Sequence, residues 1–287
     1  MGYNRLFYLN ITYECNNRCI FCISHNTTNR TRKVENPLEI IKAVNTKYSF
    51  AQNDLFIVNG GEPTTSPYFA ELLDYLLATP INIIVYSNGR KLSKYLHYTA
   101  NERIRWIVAF YGLQDIHDKY TSVQGSFLET FNSLQSISRE NKKRVSVKFL
   151  IEDESQIADF RELAKILTDY NEIHISLVLN KNRTKRFELS KAASSFIEEL
   201  IETHTVKLSN YPLCSIFSNA KKEYKETKIE TYYFIDEEGI VKQIDYDKNH
   251  NWLEKCNDCA MLSICCDSYK KYRALRISKS ELSLEEE

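Results

Sequence analysis

Two periodicities alternate along the chain. Dense runs of β-branched, aliphatic and aromatic residues read as strands: "RLFYLNIT" at 5–12, "LFIV" at 55–58, "INIIVYSNG" at 81–89, "IRWIVAFYG" at 104–112, "RVSVKFLI" at 144–151 and "IHISLVL" at 173–179. Between them the apolar positions recur at helical spacing, in "PLEIIKAVNTKY" at 37–48, "YFAELLDYLLA" at 68–78, near 126–140, near 155–169 and in "SKAASSFIEELIETH" at 190–204. Pro37 opens the first of these helices, where its missing N–H is no loss. Asn88-Gly89 marks a turn at the end of the third strand. Six strand–helix units in succession predict an α/β fold, a partial (β/α)6 TIM-like barrel rather than a closed eight-fold one.

In such a fold chemistry belongs at the carboxyl ends of the strands. The residues that stand out fall there: "CNNRCIFC" after the first strand, "NGGEPTT" after the second, "SNGR" after the third and "YGLQDIHD" after the fourth. Beyond the last helix the composition changes to a loop-rich segment with an apparent hairpin, "TYYFIDEEGIVKQIDYD" at 231–247, turning at Gly239. We expect a barrel domain over 1–205, a small cysteine-rich domain over 206–278 and a flexible acidic tail over 279–287.

Charge narrows the partners. Lysine plus arginine and aspartate plus glutamate number 38 each, so no global basic footprint points to nucleic acid. No uninterrupted apolar run approaches the roughly 20 residues that span a bilayer, and the N-terminus lacks the order of a signal peptide. The expected location is the cytoplasm, with no membrane partner.

The eight cysteines carry the chemistry, and in a reducing compartment they do not read as a disulfide framework. Cys15, Cys19 and Cys22 crowd one loop; Cys214, Cys256, Cys259, Cys265 and Cys266 follow after a gap of nearly two hundred residues. Three thiolates hold three corners of a four-iron cluster and leave the fourth iron open for a ligand that reacts. The competing reading is zinc, for which His25 is the only nearby fourth ligand. His117 and Asp118, in the segment after the fourth strand, read as a helix-start polar cluster rather than an acid/base pair.

Cys15-x3-Cys19-x2-Cys22, with Phe21 before the last cysteine, resembles the radical S-adenosylmethionine (SAM) superfamily. That resemblance implies a 4Fe-4S cluster on the three cysteines and SAM chelated by the open iron. An electron from the cluster would cleave SAM to a 5'-deoxyadenosyl radical that abstracts hydrogen from carbon. Gly60-Gly61-Glu62-Pro63 resembles the family element that holds the SAM amine, and Ser87 and Asn88 resemble its third-strand end. Adjacent glycines allow close backbone approach to a ligand, and a carboxylate accepts from an ammonium group.

Cys256-x2-Cys259-x5-Cys265 resembles the auxiliary-cluster spacing of the SPASM and twitch extensions, with Cys214 as an upstream ligand. Ile244 and Tyr269 stand where the full seven-cysteine pattern has further thiols, so the resemblance implies one auxiliary 4Fe-4S cluster, with Cys266 competing for the fourth position. A zinc knot is the alternative there.

An auxiliary cluster accepts the electron left on a substrate radical, which favours net oxidation. The expected reaction is crosslinking or C–H oxidation of a ribosomally made peptide, with a flavodoxin- or ferredoxin-like electron donor. The alternatives are a twitch-type dehydrogenase of a small alcohol, sugar or aminocyclitol, and a non-catalytic iron-sulfur protein that senses redox state. Only fourteen residues precede Cys15, which argues against a separate N-terminal peptide-recognition domain.

Overall fold

In a computed structural model of the chain, described over residues 2–22, 33–170, 172–178, 183–209, 225–226, 229–244 and 275–277, all six predicted strands form. They are β1 (Tyr3–Asn10), β2 (Asp54–Asn59), β3 (Asn82–Ser87), β4 (Ile104–Phe110), β5 (Val145–Ile151) and β6 (Ile173–Leu177). The helices between them are α1 (Pro37–Tyr48), α2 (Phe69–Ala78), α3 (Gln114–Thr121), α4 (Ser126–Gln135), α5 (Arg139–Lys142) and α6 (Gln156–Ile166), followed by α7 (Arg183–Thr203). Beyond α7 come β7 (Val206–Ser209), β8 (Lys225–Glu226), β9 (Ile229–Ile235), β10 (Val241–Ile244) and β11 (Leu275–Ile277).

Local sequence explains most of these limits. The Asn36 side chain caps α1 by accepting from Glu39 N–H, Pro37 occupies the first turn, and Lys47 lies in the last. Buried Leu38, Ile41 and Val44 repeat at helical spacing, as do Phe69, Leu72, Leu73 and Leu76 of α2. The helix expected near 126–140 is instead two, because buried Ile137 and extended Ser138 separate α4 from α5. Helix α3 was not anticipated: its mean pattern is polar, and packing of His117, Tyr120 and Thr121 defines it.

The chain forms two compact units. One spans Met1–Ala109, Gln114–Ser146 and Lys228–Ile244; the other spans Phe110–Leu113, Val147–Thr227 and Asp245–Glu287. In the first, the strand order is β10-β9-β1-β2-β3-β4, parallel from β9 to β4, with β10 antiparallel at the edge. The hairpin at Gly239 forms as expected, but its first strand pairs in parallel with β1, a long-range contact that no local pattern announces. In the second unit the order is β5-β6-β7-β11-β8, parallel over the first three. Among the described residues the strand order is open, ending at β10 and at β8.

Strand alternation divides the faces. In the first unit Phe7 and Phe56 are fully buried and stack at 6.5 Å with Phe50 packed against both, while Leu6, Leu55 and Ile57 form a second cluster across the sheet. In the second unit Phe149 of β5 stacks on Phe160 of α6 at 4.5 Å and on Phe196 of α7 at 6.4 Å. These layers hold the strand ends at fixed height, which the site requires.

Candidate functional site

Because β1 and β2 run parallel with Asn10 opposite Asn59, the loops that follow them emerge side by side. They remain paired beyond the sheet: Ile11 N–H donates to Asn59 O at 2.9 Å, Gly61 N–H to Thr12 O at 2.8 Å and Glu62 N–H to Glu14 O at 2.8 Å. Only glycine permits this. A Cβ on Gly60 would stand 2.3 Å from Thr12 O, one on Gly61 would stand 2.2 Å from Glu14 O, and Gly60 has φ +146°. The close approach that the glycine pair promised is therefore made, in the described residues, to the backbone of the cysteine loop.

Glu62 follows, 1% exposed, and its side chain joins its own turn to the end of β3. Oε1 accepts from Thr64 N–H at 3.2 Å, Thr64 Oγ at 2.6 Å and Ser87 Oγ at 2.8 Å; Oε2 accepts from Asn88 N–H at 2.7 Å. Burial pushes its carboxyl above the ordinary range, opposed by the donors at Asn88, Thr64 and Ser87, which favour the ionised form. Pro63 is buried at the first position of a single 3-10 turn, Pro63–Thr65, whose cap is Glu62 itself.

At the end of β3, Ser87 Oγ also accepts from Gly89 N–H at 2.9 Å, which shapes the turn. Asn88 Nδ2 donates to Asn16 Oδ1 at 2.7 Å and lies 3.9 Å from Cys15 Sγ. Arg90 then clamps the cysteine loop: its guanidinium donates to Asn16 O and to Asn17 Oδ1 at 3.0 Å, while Nε pairs with Glu129 at 2.7 Å. Asn16, Asn17, Arg90 and Thr64 were not singled out by sequence. The one signal for them was proximity to the quoted motifs, since Arg90 directly follows the Asn-Gly turn.

The far half of the cysteine loop rests on α3. Arg18 N–H donates to Thr121 O at 2.8 Å, Ile20 N–H to Tyr120 O at 3.0 Å, and the Phe21 ring lies 5.6 Å from that of Tyr120. Asp118 locks this helix end, accepting from Gly125 N–H at 2.6 Å, Phe127 N–H at 2.8 Å and Ser126 Oγ at 2.9 Å. Burial raises its pKa, but those donors outweigh it and hold the carboxyl below the usual range. Asp118 and buried His117 are thus part of the loop's support.

Cys15, Cys19 and Cys22 form no disulfide. Cys15 keeps an exposed face, yet the surrounding protein disfavours its thiolate, and Glu62, Cys19 and Cys22 add to this; against the Asn17 N–H, 3.3 Å from Sγ, its pKa is pushed up to about 12. Among the described residues no three His, Cys, Asp or Glu side chains converge as ligands of a single ion. Thiolates that each take a different iron of a four-iron cluster stand farther apart than ligands of one ion. The Asn17 amide, buried beside two of these cysteines, has Nδ2 without an acceptor among the described residues.

Sequence thus placed Cys15, Cys19, Cys22, Phe21, Gly60, Gly61, Glu62, Pro63, Ser87 and Asn88 on one rim, and in the first unit they meet there. Cys214, Cys256, Cys259, Cys265 and Cys266, with His25, lie outside the described residues. No helix among the described residues is long and apolar enough to cross a membrane.

The profile of the Radical SAM superfamily matches residues 9–167, more than half of the chain. A search of curated proteins found no match. Among solved structures, SuiB of Streptococcus suis bound to its precursor peptide SuiA is similar with a TM-score of 0.64 at 12% identity, over 92% of this chain and 71% of that one. Native anSMEcpe, with bound AdoMet and Cp18Cys peptide, is similar with a TM-score of 0.64 at 11% identity, over 93% of this chain and 89% of that one. At such identity the likeness establishes the fold, an open α/β arrangement of the partial TIM-like type.

Proposed function

Given that this chain belongs to the radical SAM superfamily, we propose that it oxidatively modifies a ribosomally made peptide, by crosslinking or C–H oxidation. Family membership implies a 4Fe-4S cluster and SAM, and the rim suits both. Three cysteines outside any disulfide, on one short loop, would provide the iron ligands, and a bound metal would deprotonate the Cys15 thiol that this environment otherwise keeps protonated. The buried Asn17 amide offers a donor that the sulfur of an anionic cluster can accept from. When bound, the cluster supplies the electron that cleaves SAM to a 5'-deoxyadenosyl radical.

The protein's own residues do the rest. Cys15, Cys19 and Cys22 hold the cluster; Gly60 and Gly61 bring the second loop against the first; Arg90 and Asn88 fix the turn at Asn16. Phe21 against Tyr120 shields the last cysteine's side of the loop. The observation that carries this reading is the joining of the three-cysteine loop to Glu62 and Asn88 across three strand ends.

Support for a peptide substrate comes from two solved relatives in fold, each described with a bound peptide. Cys214, Cys256, Cys259 and Cys265 are proposed to hold one auxiliary 4Fe-4S cluster that takes the substrate electron, with a flavodoxin- or ferredoxin-like protein supplying electrons to the first. Anaerobic, cluster-loaded protein given SAM and reductant should release 5'-deoxyadenosine. Candidate precursor peptides should lose two hydrogens by mass; oxidation of a small alcohol or sugar instead would replace the peptide assignment, and no SAM cleavage at all would end the enzyme reading. Iron and sulfide retained by a Cys15/Cys19/Cys22 triple alanine variant would report the auxiliary cluster, whereas zinc without iron would refute it.

A further inference from the structure

Glu62 stands where a carboxylate for the SAM ammonium group is expected, but its surroundings assign it elsewhere. It is buried to 1% exposure and accepts four hydrogen bonds, from Thr64 N–H, Thr64 Oγ, Ser87 Oγ and Asn88 N–H, at 2.6–3.2 Å. Three of these donors converge on Oε1 and the fourth, Asn88 N–H, holds Oε2, whose remaining acceptor site lies in a residue only 1% exposed. An ammonium ligand would have to reach Oε2 through the packing that buries it, or displace a donor and leave that donor buried without an acceptor.

What the carboxylate does accomplish is mechanical. Its main chain is tied to Glu14 O in the cysteine loop, its Oε1 to its own turn and to β3, and its Oε2 to the backbone of Asn88. Held there, Asn88 reaches Asn16 Oδ1 at 2.7 Å and Cys15 Sγ at 3.9 Å. Asn16 and Asn17 are gripped from the other side by Arg90, two residues along the same turn. A chain of contacts therefore runs from Glu62 through Asn88 to the first cysteine.

We propose that Glu62 is a positioning residue that fixes the height and orientation of Cys15 through Asn88, and that it does not contact the amino group of SAM. This rests on the reading of the rim as a SAM site. A thermodynamic cycle separates the two roles. Full-length, cluster-loaded wild type and Glu62→Gln are titrated with SAM and with the analogue bearing hydrogen in place of the α-amino group. Positioning predicts that losing the amino group weakens binding by the same factor in both proteins, within about 3-fold, the additivity expected of groups that do not touch. A direct contact predicts a penalty about 10-fold or more larger in wild type, and would overturn the proposal.

A second readout needs no ligand. The electron paramagnetic resonance spectrum of the reduced cluster without SAM should shift in Glu62→Gln and in the same sense in Asn88→Ala, since both release Cys15. An unchanged spectrum in Glu62→Gln would refute the proposal. If that variant fails to fold or to hold iron, Ser87→Ala carries the test, because it loosens the same carboxylate and keeps its charge. Positioning then predicts a shifted spectrum with an unaltered amino-group penalty, and an unshifted spectrum would count against it. Failure of wild type to bind SAM would strike the function itself, and is visible before any variant is made.

Discussion

The two ends of the parallel sheet in the first unit are both closed by polar networks, and they differ in what they leave uncompensated. At the amino end, Arg5 lays its guanidinium on the buried Asp54 carboxylate and donates to Tyr48 O at 2.7 Å and Ser49 O at 3.0 Å. Asp54 also accepts from Ala51 N–H at 2.8 Å, Asn82 donates to Gln52 O at 2.6 Å, and Arg103 covers the carbonyls of Leu77, Thr79 and Ile81. Charge meets charge there, and helix-end carbonyls find donors.

At the carboxyl end the sums are different. The Glu62 carboxylate is met by neutral donors, three thiols share its neighbourhood, the Cys15 thiol is driven far from ionisation, and the buried Asn17 amide nitrogen lacks an acceptor among the described residues. The first arrangement stabilises the fold by itself; the second gathers thiols and a buried donor at the strand ends, where family membership implies an iron-sulfur cluster. Barrel enzymes divide their two faces in this way.

Four substitutions break or sharpen that contrast, in descending order of effect. Replacing any one of Cys15, Cys19 or Cys22 with alanine should abolish SAM cleavage while leaving thermal unfolding close to wild type, measured by 5'-deoxyadenosine release and calorimetry. Loss of folding would place the thiols among structural residues. Gly61→Ala forces a Cβ to 2.2 Å from Glu14 O, so the paired loops must separate. We expect about 3 kcal/mol of destabilisation and loss of bound iron together, read by denaturant titration and iron analysis.

Asp54→Asn tests the opposite end. It breaks a pair whose acid is buried and whose arginine is a quarter exposed, so about 2 kcal/mol should be lost, below the range for fully buried pairs, with SAM cleavage per folded molecule unchanged. Reduced activity in the folded fraction would show that the ends are coupled. Asp118→Asn is the mildest: about 1 kcal/mol, allowing for the partial exposure of Asp118. The folded pKa of Asp118 is depressed, so its contribution is full above the unfolded value of about 3.9 and disappears as pH falls through the lower folded value. The difference in melting temperature between wild type and variant should therefore shrink on acidification below about pH 4, and a pH-independent difference would contradict the ionised cap.

Much of this was legible in the chain. Strands β2 to β6 lie within two residues of their expected limits because each is a short dense apolar run bounded by turn residues. The three cysteines and Gly60–Glu62 were legible because few structural demands put such residues at such spacing just past a strand. Helix α3 was not, since its sequence is polar and its burial comes from the loop it supports. Asn16, Asn17 and Arg90 were not, because asparagine and arginine near a turn are ordinary until a partner is known. The roles of Gly60 and Gly61 were half legible: close approach was foreseen, but the object approached is the Thr12–Glu14 backbone.

By itself the sequence determined which residues alternate inward, where strands stop, and which side chains bring sulfur and carboxylate to the loops, because periodicity and turn chemistry act over a few residues. Only the tertiary structure decided that β9 lies beside β1, that Glu62 spends its carboxylate on Thr64, Ser87 and Asn88, and that Arg90 holds the cysteine loop. Apart from Glu62–Thr64, those pairings join positions 25 to more than 200 residues apart, and a hydrogen bond across such a distance depends on the height at which each strand ends, which packing alone sets.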